Sequence, residues 1–115
     1  MSNYHEPMEL LDEKTRNISR ALNSLKEEIE AVDWYNQRVV ASADPDLAKI
    51  MAHNRDEEIE HACMTLEWLR RNMTGWDEEL KAYLFTEGDI TTLEEGGEKT
   101  EGSVGSSSLK IGNLK

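Results

Sequence analysis

Cysteine and proline are scarce in this 115-residue chain, with one Cys and two Pro, and basic residues are outnumbered, 13 Lys and Arg against 24 Asp and Glu. A lone thiol, Cys63, excludes a disulfide framework and fits a reducing cytosol. The formal net charge of -11 disfavours nucleic acid and anionic membranes as partners, but it draws cations. No apolar run is long enough to span a bilayer, and the first residues lack the basic and apolar regions of a signal peptide. The expectation is a soluble, cytoplasmic protein with no nucleic-acid or membrane role. At this length it is one small domain, with little room for a compact core of its own.

What the chain does have is helical periodicity. Residues 1–6 read as a flexible arm, and Pro7 suits a first helical turn, with Glu6 and Glu9 favouring its positive end. From Pro7 to about Val40, Leu11, Ile18, Leu22, Leu25, Ile29, Val32 and Val39 recur at helical intervals and predict one continuous apolar stripe. That helix would be about 50 Å long and would need a partner along its length. Asp44-Pro45-Asp46 ends it and starts another: Asp44 is a good N-cap, Pro45 fits the next position and Asp46 complements the dipole. The second helix is predicted from Pro45 to about Asn72, with Gly75 as terminator, and so short a turn favours an antiparallel hairpin. Trp76 to about Phe85 predicts a short third helix, whose stripe needs cover from another subunit or from its own hairpin. The helical domain thus spans 7–86, a flexible acidic linker 87–107, and an apolar peptide 108–115. In that last peptide Leu109, Ile111 and Leu114, with Gly112 among them, fit a docking motif that lays its side chains into pockets on a partner.

The chemistry centres on Glu57-Glu58-Ile59-Glu60-His61. Glu58 and His61 are three apart, so a helix stacks their side chains on one side, the Glu-x-x-His spacing with which di-iron carboxylate bundles offer ligands. In a chain this rich in Glu the spacing also arises by chance, as a charged residue and a histidine on a wet face. Its surroundings weigh against that: Leu47, Met51, Ala62, Thr65 and Leu69 fall within about 40° of Glu58 on a helical wheel. A bare carboxylate there is costly and calls for a cation, either Arg55 one turn earlier or a metal, and only a metal also accounts for the imidazole. Glu28 repeats the situation on the first helix, beside Ala21, Leu25, Val32, Tyr35 and Val39. Glu27 and Glu30 point away from that stripe and read as a solvated acidic face with Asp33, and Trp34-Tyr35 as interface aromatics with polar tips. Counted from Asp44, Glu28 is about sixteen residues before the turn and Glu58 about fourteen after, so the hairpin should bring them level.

Three ligands are too few for a closed two-metal site. A four-helix bundle of the ferritin type supplies a Glu from each of two helices and Glu-x-x-His from each of the other two, and two hairpins about a twofold axis would provide that set. The expected fold is therefore all-α: a long antiparallel helical hairpin plus a short C-terminal helix, completed to a four-helix arrangement by dimerisation. Carboxylate and imidazole donors suit iron and also accept manganese, zinc or cobalt.

His5-Glu6-Pro7, the run Glu27 to Tyr35, the run His53 to His61, Met64 to Arg71 and Tyr83 to Glu87 together resemble the encapsulated ferritins, and the tail Ser108 to Lys115 resembles the peptide that loads such cargo into an encapsulin shell. The resemblance implies a decameric ring of dimers that oxidises Fe(II) with oxygen between two subunits and leaves mineral storage to the surrounding encapsulin nanocompartment. It implies Glu28, Glu58 and His61 as iron ligands, each contributed twice, Tyr35 close behind them with Trp34 beside it, and Glu27 and Glu30 as an acidic site through which metal enters. The rival expectations are a non-enzymatic helical adaptor that holds zinc or calcium to fix a dimer, and a plain coiled-coil module without metal.

Overall fold

The computed structural model describes residues 4–93. Its elements are a 3-10 turn at Met8–Leu10, helix α1 over Glu13–Ala41, helix α2 over Pro45–Asn72, helix α3 over Trp76–Tyr83 and a second 3-10 turn at Ile90–Thr92. Among the described residues there is no strand, and no helix is long and apolar enough to cross a membrane. The all-α hairpin expected from the sequence is present, with α2 packed along α1.

The first helix begins at Glu13, well after the start that Pro7 would set. Asp12 accepts from the backbone N–H of Thr15 at 2.8 Å, and the Arg16 Nε donates to the Leu11 carbonyl at 2.9 Å. These bonds hold Leu11 extended and start the α-helix at Glu13, while Pro7 opens only the separate 3-10 turn. Thr15, through its side chain first and its backbone N–H second, holds the Asp12 carboxyl below the usual carboxylate range. A cap side chain that satisfies an orphan N–H outweighs proline's preset φ. At 29 residues, α1 is about 43 Å long rather than about 50 Å.

The turn is built as Asp44-Pro45-Asp46 predicts. The Asp44 carboxylate accepts from the N–H groups of Asp46 at 2.9 Å and Leu47 at 3.3 Å, with Pro45 at the first helical position. At the far end of α2, Glu67 accepts from Arg70 and Arg71, which together hold its carboxyl down to about 2. Both cations also lie in the last turn, where they complement the helix dipole.

The expected single stripe on α1 divides into two. Ile18, Leu25, Val32 and Val39 are half-buried along the side that carries Glu28, whereas Leu22, Ile29 and Val40 are exposed on another. On α2, Leu47, Ile50, Ile59, Met64 and Trp68 are exposed as well. Among the described residues only Leu69 is fully buried. Two long helices covering just one face of each other leave most of their large side chains in contact with water.

The hairpin, through Met73, is one unit; residues from Thr74 onward form another. Within the second, Gly75 has φ of 108°, a value that favours glycine, and stands at the N-cap position of α3. Helix α3 stops at Tyr83, short of Phe85, because Leu84 is extended, Phe85 has φ of 60° and the Thr86 hydroxyl donates to the Tyr83 carbonyl at 2.8 Å. In the 87–107 stretch, Asp89 caps the 3-10 turn by accepting from Thr91 N–H at 3.0 Å. The tail with Leu109, Ile111, Gly112 and Leu114 lies outside the described residues. Asp44→Ala is expected to lower the unfolding free energy by about 1 kcal/mol through loss of both cap bonds, measured by denaturant unfolding.

Candidate metal centre

Glu58 and His61 stand one turn apart on α2, and the structure brings them together: His61 Nδ1 lies 3.6 Å from Glu58 Oε1. The Glu58 side chain is 28% exposed and that of His61 47%, so the pair straddles the border between the hairpin seam and the outer surface. Thr65, one turn on, donates its hydroxyl to the His61 carbonyl at 3.2 Å. At 3.6 Å the imidazole and carboxylate are neighbours rather than hydrogen-bonded partners.

Arg55 is not the cation for Glu58. Its Nε donates to Asp56 at 3.0 Å and its Nη1 crosses to Asn36 on α1 at 3.1 Å. Arg55 as the internal counter-ion of Glu58 is thereby removed.

On α1, Glu28 faces the seam, and its Oε1 is buried without any hydrogen-bond partner. Buried polar atoms are nearly always paired, and an orphaned carboxylate oxygen costs about 1–3 kcal/mol or more. A cation would satisfy that oxygen. Glu28, Glu58 and His61 together offer hard oxygen and imidazole nitrogen donors, a set that fits iron and related divalent metals.

Among the described residues of one chain, however, no three His, Cys, Asp or Glu side chains converge closely enough to hold a metal. Two of the expected donors sit together on α2 and the third remains apart on α1. Glu27 and Glu30 are exposed on α1, as their position on the wheel predicts, and Asp33 beside them accepts from Gln37 at 3.1 Å.

Tyr35 is half-buried on the same side as Glu28, and Trp34 is exposed. The Arg38 guanidinium lies 5.3 Å from the centroid of the Tyr35 ring, a cation-π contact, and a shallow hollow of about 480 Å³ is lined by Trp34, Gln37, Arg38 and Ala41. Neither Arg38 nor the pair His53 Nε2–Glu57 Oε2, at 3.1 Å on α2, is singled out by sequence reasoning. The i,i+3 and i,i+4 spacings of these pairs are the signals that would have found them. Cys63 is an exposed free thiol.

Similarity to known proteins extends over nearly the whole chain. A family model described as EncFtn-like matches residues 3–87. An "Encapsulated ferritin-like protein" of Rhodospirillum rubrum is 57% identical over 121 aligned positions, covering 96% of this chain and 86% of its own length. A "Ferritin-like protein" of Thermotoga maritima is 61% identical over 106 positions, covering 89% of this chain and 93% of its own length. A crystallised protein of Nitrosomonas europaea superposes with a TM-score of 0.75 at 56% identity, over 77% of this chain and 98% of that one.

The orphaned oxygen yields a direct expectation. Glu28→Met should raise the unfolding free energy of the metal-free protein by about 1 kcal/mol, since it removes an unpaired buried group, while weakening binding of divalent metal. Thermal unfolding with and without added Co(II) checks both signs.

Proposed function

The chain belongs to the EncFtn-like family, and from that premise we propose that it oxidises Fe(II) to Fe(III) at a di-iron centre formed between two copies of the hairpin, with O2 as acceptor. The observation that carries this reading is the buried, unpartnered Glu28 Oε1, an anionic atom that neither helix of its own chain satisfies. Glu58 and His61 supply the second half of a ligand set, already adjacent on α2. A twofold axis between hairpins doubles these three residues into four carboxylates and two imidazoles, the complement of a two-iron site in a four-helix bundle. The exposed apolar residues of α1 and α2 provide the surface over which such a pair would close.

Iron is the substrate here, and the chain's residues act on it in sequence. Glu27 and Glu30, exposed on α1 of a chain carrying net charge -11, concentrate Fe(II) near the centre. Glu28, Glu58 and His61 from each copy then hold two Fe(II) ions side by side. The negative charge of the Glu28 and Glu58 carboxylates favours the more highly charged ferric state and lowers the cost of removing one electron from each ion. Two adjacent ions together deliver two electrons to one O2, which a single ion cannot do. Tyr35, with Trp34 beside it, closes the α1 side and limits access of water. Dimers assemble further into a decameric ring.

The relative in Rhodospirillum rubrum is called encapsulated, and on that basis this chain is proposed as cargo of an encapsulin shell in the cytoplasm, the shell providing the space for ferric mineral. Residues 108–115, through Leu109, Ile111, Gly112 and Leu114, would make the contact with the shell protein. A non-enzymatic metal-bridged adaptor is the competing reading, and oxidation itself separates the two.

Anaerobic Fe(II) loading followed by air should produce a ferric absorbance rise with oxygen uptake in the wild-type protein, and Glu28→Ala and His61→Ala should each reduce the rate at least about a hundredfold. Absence of oxygen uptake by the wild type would leave the adaptor in its place. Removing residues 108–115 should abolish co-purification with the shell protein and leave oxidation unchanged; retained loading would refute the role of the tail.

A further inference from the structure

Arg55 and Glu58 are opposite charges three residues apart on α2, a spacing at which such side chains normally meet. Both are shielded, 27% and 28% exposed, so an ion pair between them would be less screened than one on an open surface. Yet they do not pair. The guanidinium is instead divided between two acceptors, Asp56 Oδ1 at 3.0 Å and, across the seam, Asn36 Oδ1 at 3.1 Å. Asn36 adjoins Tyr35 on α1, so this bond ties the aromatic end of the site to the helix that carries Glu58 and His61. An asparagine suits this position because its amide oxygen attracts the guanidinium without adding a negative charge.

We infer that Asn36 is a positioning residue that holds the Arg55 guanidinium away from Glu58, keeping that carboxylate free of an internal counter-ion so that a divalent cation can take the place. The inference rests on the reading of Glu58 as a metal ligand. Without Asn36, rotation of the Arg55 side chain gives Glu58 a covalently tethered competitor for the metal. The two bonds to Arg55 thus keep a ligand open for metal without touching the metal themselves.

Full-length protein titrated with Co(II) under non-oxidising conditions, followed by visible absorption and calorimetry, provides the test. Asn36→Ala is expected to weaken Co(II) binding at least about threefold, Arg55→Gln to leave it within about twofold of wild type, and the double variant to recover to within about twofold. That recovery marks competition by Arg55, since a merely structural role for Asn36 would not be relieved by a second substitution. Equal binding by Asn36→Ala and wild type, or a double variant as weak as Asn36→Ala, overturns the proposal. Should Asn36→Ala fail to fold, Arg55→Lys serves in its stead: an ammonium lacks the fork that spans Asn36 and Asp56, and is expected to reach Glu58 and weaken Co(II) similarly. Unchanged Co(II) affinity in Arg55→Lys then counts against the proposal. Wild-type affinity in Glu58→Ala would instead refute the ligand assignment, and the role of Asn36 with it.

Discussion

A carboxylate oxygen enclosed by protein, with no donor in reach, is the constraint on which this molecule turns. Glu28 Oε1 is such an atom, and the hairpin that buries it sets no hydrogen-bond donor against it. Sequences that merely fold do not keep this arrangement, because a methionine or leucine would pack there at lower cost. In the proposed assembly its value lies in the cation it would attract. Glu58 reaches a similar condition by another route, since the cation nearest in sequence is tied to Asn36 and Asp56 and the carboxylate is left beside an imidazole.

The second incompleteness is apolar. With Leu69 alone fully buried among the described residues, the hairpin forgoes part of the roughly 1.5–3 kcal/mol that full enclosure of each Leu, Ile or Met side chain could contribute. Leu22, Ile29 and Val40 on α1, and Ile50, Met64 and Trp68 on α2, face outward on surfaces that a lone hairpin has no means to cover. In the proposed assembly of helical hairpins, one event would relieve both the electrostatic and the hydrophobic deficit.

Much of this was legible in the residues, for reasons that differ from element to element. Asp44-Pro45-Asp46 states a helix boundary in local chemistry, and the structure places α2 where that chemistry begins it. The three-residue separation of Glu58 and His61 is likewise local, so their adjacency could be read directly. The start of α1 was not, because two initiation signals compete: proline at position 7 presets a dihedral, but Asp12 captures an N–H, and the captured N–H prevails. The division of the α1 stripe into two faces was hidden because Leu22 and Ile29 stand three or four residues from their neighbours in the stripe, a step that rotates them by about 40–60° and carries them off the side that holds Ile18, Leu25, Val32 and Val39. The bond between Arg55 and Asn36 spans nineteen residues and follows from how the helices pack, which spacing along the chain does not encode.

The tightness of the bend before Pro45 has its own consequence. Only Ser42, Ala43 and Asp44 separate the helices, and each residue added to or removed from a helix rotates everything beyond it by about 100° and shifts it by about 1.5 Å. Most surface loops tolerate changes of length with small entropic penalties. Here the connection acts as a phase-setting spacer, and a single inserted residue that propagated into α2 would swing Glu58 and His61 together around the helix axis, away from the side they now share with the hairpin seam. Divergence within such chains should therefore accumulate as substitutions along the arms, with the count of residues at the bend held constant.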